Sequence, residues 1–450
     1  MARRQRPLDG LSSEWVNTHS WIDSSTTQKS GRKANSGIRS HQFAEDTFAF
    51  VTLSVALLAP VIGSLTPVLA LLLLIVAVSF RRAFVVRTVM SNWTVALLPL
   101  FAIASTLWSI NPPVSAYYAT QYLMTALLGL LIGSSTSRRQ GFSGVFYAFA
   151  VFCVGSAIFG RSVGWGDGGP GGTAFAGVVA SKNSAGDIAA IGAMASLSYF
   201  LQQLVKREFL GALTAAMVLL VQVYLTLASQ SSGAVLGLGI GCGFIACASV
   251  ACALPSQYRV LLAIGLVLGL LGIAATSEMW FQPLLDSITA AFGKSPTLTG
   301  RAAIWEDAGR LMRERPSFGL GFSAFWVHGN LDAEGIWRTM GIANRTGFNF
   351  HNTAFEILVH LGWVGFVLFA VVFCIRTIKL WAKTTYQPDI AMIFWSAFIV
   401  YQLSRMYAEA RGMKLFDYGT IMLFAAMAMG GSAVRTPISV RHQRPPAHKL

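Results

Sequence analysis

Charged residues are scarce in this 450-residue chain, at 12% against the roughly 25% of an ordinary soluble domain, while 54% of residues are hydrophobic. Acidic side chains are scarcer still, 19 against 34 lysines and arginines. Too little polar surface exists to cover a water-soluble globule of this length. Cysteine is limited to Cys153, Cys242, Cys247, Cys252 and Cys374, all inside apolar runs, which excludes a disulfide framework or a cysteine-based metal cluster. Residues 1–46 are polar and Ser-rich and lack the apolar core of a signal peptide, so they are expected to form a disordered tail that is not cleaved.

What the chain does contain is a series of runs long enough to cross hydrocarbon, which takes about 20 residues at a rise of about 1.5 Å each. Twelve stand out: 48–62, 65–80, 93–110, 114–133, 142–160, 186–204, 209–227, 233–254, 260–276, 352–375, 390–406 and 415–429. The expected fold is all-α, a polytopic integral membrane protein of about twelve transmembrane helices with one large periplasmic loop containing an amphipathic helix. The expected organisation is a cytoplasmic tail 1–46, helices one to nine in 47–276, the periplasmic loop 277–351, helices ten to twelve in 352–430, and a second cytoplasmic tail 431–450.

A net charge of +15 in a soluble protein would suggest nucleic acid, but here the basic residues are dispersed between apolar runs and report topology. Alternating the segments places about two thirds of the 34 basic residues on one side, including Arg81, Arg82, Arg87, Arg376, Lys379 and Lys383. The positive-inside rule makes that side cytoplasmic, together with both termini, in a bacterial inner membrane. No nucleic-acid partner is expected.

Two outer connections are long. The first, Arg161 to Asn183, contains Gly166-Asp167-Gly168-Gly169-Pro170-Gly171-Gly172; such glycine density lets backbone approach a ligand, and it is also the composition of a plain flexible loop. The second holds a helix signal: Thr299 as N-cap, a run from Gly300 to Glu314 with an apolar stripe of Ile304, Trp305, Ala308, Leu311 and Met312, and Pro316 as a stop. This helix is expected to lie on the membrane surface or on the bundle. Glu306 and Arg310 at i,i+4 read as a surface ion pair.

Arg301, in the first turn of that helix, suits a phosphate, since free backbone N–H groups there add to a planar guanidinium fork; a headgroup-binding arginine would look the same. His351 stands at the outer lip of the tenth run, where imidazole is matched to proton transfer near neutral pH or serves as a cap. Asn352 and Glu356 share a face of that helix, and Glu356, an ionisable group one turn inside a span, is expected to pair with an arginine or to orient His351. His328 and His360 are weaker candidates. Arg405, Glu409, Arg411 and Lys414 cluster in the last outer turn against the charge bias, which points to an anionic ligand there, with an Arg405–Glu409 pair at i,i+4 accounting for part of it.

The wording Thr299-Gly300-Arg301-Ala302-Ala303-Ile304-Trp305, then Arg315-Pro316-Ser317-Phe318-Gly319-Leu320-Gly321-Phe322-Ser323-Ala324-Phe325-Trp326, then His351-Asn352-Thr353-Ala354-Phe355-Glu356 through Gly362, resembles the O-antigen ligase and Wzy-type polymerase superfamily, most closely its succinoglycan-type exopolysaccharide polymerases. No strand precedes Gly319 and Gly321, so they are not a nucleotide fingerprint. The resemblance implies glycosyl transfer without metal or cofactor on the periplasmic face, from an undecaprenyl-pyrophosphate-linked oligosaccharide to an acceptor glycan. It also implies contact with membrane lipid and partnership with chain-length and export proteins. Carried over by motif, Arg301 holds the pyrophosphate and His351 accepts the acceptor's proton; Glu356, from its place one turn inside the span, joins them as a catalytic candidate. Members carry a basic residue just after the serine that opens the eighth span; here the wording is Ser229-Gln230-Ser231-Ser232-Gly233, which leaves Lys182, Arg405 and Arg411 as candidate substitutes and Asn352 as a further substrate contact. A ligase delivering glycan to lipid A core and a flippase for the same lipid-linked sugars are the alternatives. A flippase would favour broken spans with mid-membrane charges.

Overall fold

A computed structural model of the chain describes residues 24–134, 141–164, 172–179, 181–262, 264–265, 301–343, 345 and 348–431. The chain divides into a leading unit, Met1–Ala44, of which the helical residues from Ser24 onward are described, and a main unit, Glu45–Leu450, which holds all that follows. The glycine run 166–171, the Thr299 N-cap, the first part of the second long connection and residues 1–23 and 432–450 of the two tails lie outside the described residues.

The helices are α1 (Ser24–Ile62), α2 (Leu65–Ser91), α3 (Trp93–Ala104), α4 (Pro112–Gly133), α5 (Phe142–Phe159), α6 (Lys182–Lys206), α7 (Phe209–Ala228), α8 (Ser232–Ala251), α9 (Arg301–Glu314), α10 (Leu331–Thr339), α11 (Thr353–Tyr386), α12 (Ile390–Met406) and α13 (Tyr418–Gly431). Each apolar run of the sequence coincides with a helix except 260–276, most of which lies outside the described residues. Seven helices are long and apolar enough to cross a membrane: Phe43–Ile62 of α1, α2, α5, α6, α7, α8 and α11, which makes the chain a multi-pass membrane protein. The Trp93–Leu107 stretch, α12 and α13 are apolar but shorter, so the described residues stop short of twelve full-length spans.

Three departures from the sequence reading have physical causes. Helix α2 runs on through Arg81, Arg82 and Arg87, with a break at Arg81 (φ −139°, ψ 35°), whose guanidinium pairs with Glu45. Helix α11 likewise continues through Arg376 and Lys383, because these cations have intramolecular partners: Arg376 donates to Asn92 Oδ1 at 3.2 Å and Thr94 Oγ1 at 2.7 Å, and Lys383 caps the Met429 carbonyl at 2.6 Å. The first long connection carries an antiparallel hairpin, β1 (Arg161–Gly164) with β2 (Thr173–Gly177), the one sheet among the described residues.

Helix α6 is the axle of the bundle. Its Ala- and Gly-rich surface is buried along most of its length, since small side chains let α5, α7, α8 and α12 approach closely, whereas α2, α7 and α8 turn leucines and valines outward as lipid-facing helices do.

Residues 301–350 build a second, smaller core. Ile304, Ala308 and Leu311 of α9 pack with Phe325, Ile336, Trp337 and Phe350 and rest on Val359 of α11, so the amphipathic helix lies on the bundle. Its Arg310 does not pair with Glu306; it reaches Glu314 at 2.9 Å and Asp332 at 2.7 Å, which binds α9 to α10.

This cap is fastened at a break in α11. Gly362 adopts φ 64° and ψ −170°, a conformation essentially restricted to glycine, and the interruption frees helix backbone groups that need partners in an apolar setting. The Pro316–Gly321 stretch supplies them. Leu320 and Gly321 N–H groups donate to the Val359 and His360 carbonyls, both at 2.9 Å, while Trp363 and Val364 N–H groups donate to the Pro316 and Ser317 carbonyls at 2.8 and 3.1 Å. A Cβ on Gly319 would come within 2.6 Å of the His360 backbone, and one on Gly362 within 2.3 Å of the Ser317 carbonyl. Gly319→Ala and Gly362→Ala are each expected to destabilise the fold by more than the 1–2 kcal/mol or so of left-handed backbone alone, because the new methyl meets fixed backbone. Thermal unfolding in detergent tests this, and an unshifted midpoint in both variants would mean the stretch is not docked there.

Candidate functional site

Ionisable side chains converge at one end of the bundle, where α6, α8, α11 and α13 begin and α12 ends. Asp187 projects from the first turns of α6, fully buried, and receives Arg405 Nε at 3.0 Å, the Arg411 guanidinium and the Tyr401 hydroxyl. Arg405 ends α12, and Arg411 follows in the turn to α13. A buried carboxylate between two buried guanidiniums satisfies the rule that charge in a membrane interior survives only when paired.

Glu409, in the same turn, is the second acid. Its Oε1 lies 3.5 Å from Arg301 Nη2 and 3.9 Å from Arg405 Nη2, and its Oε2 lies 3.5 Å from His351 Nδ1. Burial alone would raise the Glu409 carboxyl, but the adjacent His351 ring and the positive charges of Arg411 and Lys414 outweigh it and hold the group well below the usual carboxylate range. Arg301 is pulled down from its ordinary value, first by burial and then by the charge of Arg405, with Glu409 opposing. Three guanidiniums face two carboxylates here, leaving positive charge in excess and only partly solvated.

His351 occupies a left-handed turn, φ 50°, between the cap and α11. Its N–H donates to Asn349 Oδ1 at 2.8 Å, and its ring packs edge-on against Phe348. Glu409 meets the ring on its Nδ1 side, which leaves Nε2 clear of that carboxylate. Asn352 is committed to structure: its Oδ1 caps α11 by accepting from Ala354 and Phe355 N–H at 2.9 and 3.1 Å, and its Nδ2 donates to the Tyr407 carbonyl at 3.0 Å. Thr353 fastens the α12–α13 turn, donating to the Glu409 carbonyl and accepting from Arg411 N–H, both at 2.9 Å.

Arg301, His351, Arg405 and Arg411, named from sequence, are therefore brought together. Lys182 opens α6 about one and a half turns before Asp187, at the same end of the bundle. Glu356 meets the Phe350 backbone and His360 where an arginine was expected, so its hold on His351 runs through the Phe350 backbone and not through the imidazole ring. It is buried, and its Oε2 accepts the Phe350 N–H at 2.9 Å while Oε1 lies 3.8 Å from His360 Nε2; the carboxylate beside the His351 ring belongs to Glu409. Asp187 was not among the residues picked from sequence, although an acid just inside an apolar run is the signal that drew attention to Glu356. Gly233 also earns a place: a Cβ there would stand 1.7 Å from Arg405 Nη1, so only glycine at the start of α8 leaves room for that guanidinium.

Against known proteins, the family profile described as O-Antigen ligase matches residues 215–370. The chain is also 30% identical over 351 residues, 76% of its own length and 73% of the relative's, to the exopolysaccharide production protein ExoQ of Rhizobium meliloti (strain 1021). The chain belongs to the O-antigen ligase and Wzy-type polymerase superfamily of membrane enzymes.

Asp187→Asn leaves Arg405 and Arg411 buried without their shared counter-ion and is expected to cost about 3–5 kcal/mol, read by thermal or denaturant unfolding in detergent. An unchanged midpoint would show that the guanidiniums do not depend on it. Because its folded pKa is depressed, Glu409 contributes stability that is fully present above the ordinary glutamate value of about 4.3 and is lost as pH falls below it. Glu409→Gln is therefore expected to melt lower than the parent protein at pH 7, with the gap closing below about pH 4; a gap independent of pH would contradict the assignment.

Proposed function

We propose that the protein polymerises undecaprenyl-pyrophosphate-linked oligosaccharide repeat units on the periplasmic face of the inner membrane. The observation that carries this reading is the His351–Glu409 pair set directly against Arg301 and Arg405, a proton acceptor beside a cluster of anion-binding guanidiniums. Arg301, with Arg405 and Arg411 behind it, holds the donor's diphosphate. The acceptor hydroxyl gives its proton to His351 Nε2 as its oxygen bonds to the donor's anomeric carbon, and the bond from that carbon to the diphosphate oxygen breaks. The lipid diphosphate leaves as an anion against the arginines, which stabilise the charge it develops. Glu409 steadies the imidazolium that forms, which then loses its proton to water. The transfer needs no redox step. The name of ExoQ, an exopolysaccharide production protein, supports the same product class.

The family profile favours a second reading, transfer of a glycan to lipid A core. Both use the same donor chemistry, and the product separates them.

Purified protein given its lipid-linked repeat unit, in the presence of a chelator and without nucleotide, is expected to produce a ladder of longer chains. His351→Ala should lower that rate by about a hundredfold or more while the protein still folds and inserts. Full activity in this variant removes His351 as the base. Glycan found on lipid A core in place of a ladder selects the ligase, and translocated but unextended units select the flippase.

A further inference from the structure

His351 holds a backbone conformation that side-chain-bearing residues avoid, and something must impose it. The residue before it, Phe350, is fully buried, and both of its backbone polar groups end on side chains. Its N–H donates to Glu356 Oε2 at 2.9 Å, and its carbonyl accepts from Trp305 Nε1 at 2.9 Å. These two jaws come from different elements, α11 and α9. Trp305 lies one turn beyond Arg301 on α9, and its ring is wedged edge-on against Tyr407, centroids 5.5 Å apart, and tilted against Phe355 at 5.8 Å. The same indole therefore extends from the helix that carries Arg301 to the turn that carries Glu409, the start of α11 and the peptide that leads into His351.

We infer that Trp305 is a positioning residue for His351, acting through the Phe350 carbonyl, with Glu356 as the opposing jaw on the Phe350 N–H; this rests on the transfer reading above. The Phe350–His351 peptide is held at its carbonyl by Trp305 and at its N–H by Asn349 Oδ1, and Glu356 fixes the peptide before it, so the imidazole is aimed before the acceptor arrives. Because Arg301 and Trp305 share a helix, seating the diphosphate at one fixes the base at the other. Glu356 takes part as a hydrogen-bond acceptor and not as a proton-transfer group.

The test is steady-state chain extension by the purified full chain, with the lipid-diphosphate-linked repeat unit as donor. Trp305→Phe keeps an aromatic ring at this position and deletes the N–H; kcat is expected to fall about tenfold to a hundredfold with the donor KM within about twofold of the parent value. Glu356→Ala should fall likewise, and Glu356→Gln, whose amide oxygen still accepts from Phe350 N–H, should recover most of the loss. A purely structural role would lower the fraction of active protein without this rescue. Parent kcat in Trp305→Phe overturns the inference, as does a raised KM at unchanged kcat, or Glu356→Gln as inactive as Glu356→Ala. If Trp305→Phe fails to fold, the Glu356 pair carries the test alone. Full activity in His351→Ala overturns the transfer reading itself, whereas an inactive His351→Ala beside a fully active Trp305→Phe overturns only the clamp.

Discussion

Burying Asp187 in the first turns of α6 sets the terms for the rest of this protein. A carboxylate in that position has a high cost of desolvation, which only counter-charges at hydrogen-bond distance offset, and those counter-charges, Arg405 and Arg411, come from the far end of the chain. Their presence then recruits Glu409, which in turn lies against Arg301 and His351. Charges that would each be untenable alone become a mutually dependent set. Its surplus is positive, and it faces the end of the bundle where the cap and the hairpin lie.

The cap is held by a different physics, that of unsatisfied backbone. A helix broken at Gly362 inside an apolar bundle must place its freed N–H and carbonyl groups, and the Pro316–Gly321 stretch answers them one for one. The Gly-x-Gly wording is thus a packing device: Gly319 lies against the His360–Gly362 backbone and Gly321 against Ser109. Above the break, α11 belongs mechanically with the cap; below it, Arg376 and Lys383 anchor the helix to α3 and α13.

Hydropathy located the membrane helices because each has a mostly apolar stretch, and it misplaced their ends where cations have internal partners, as at Arg81 and Arg376, and at α1, which starts at Ser24 inside the polar stretch expected to be disordered. The α9 stripe was readable for the same reason that the helix packs: Ile304, Ala308 and Leu311 recur at helical spacing. The site was legible as residue types. Arg301, His351 and the Arg405–Arg411 turn could be named, but their pairing could not. Sequence neighbourhood suggested Glu356 as the companion of His351, five residues away, whereas the chain returns 58 residues later to put Glu409 there. Arg310 shows the same bias: the i−4 neighbour Glu306 was expected, yet Asp332 of the next helix is the closer acid. Asp187 escaped because it reads as the edge of an apolar run, and only the tertiary structure shows it enclosed.

The distance along the chain between Asp187 and Arg411, 224 positions, has a consequence for biosynthesis. At translation rates of about 5–20 residues per second, the ribosome needs on the order of 10 to 50 s to travel from one to the other. During that interval the nascent protein acquires α9 and α11, yet has neither of the guanidiniums that Asp187 ends against nor the carboxylate that lies beside His351. The charged cluster therefore comes together only with insertion of the final two helices. A chain truncated before α12 carries Asp187, Arg301 and His351 and none of the three charged residues they pair with.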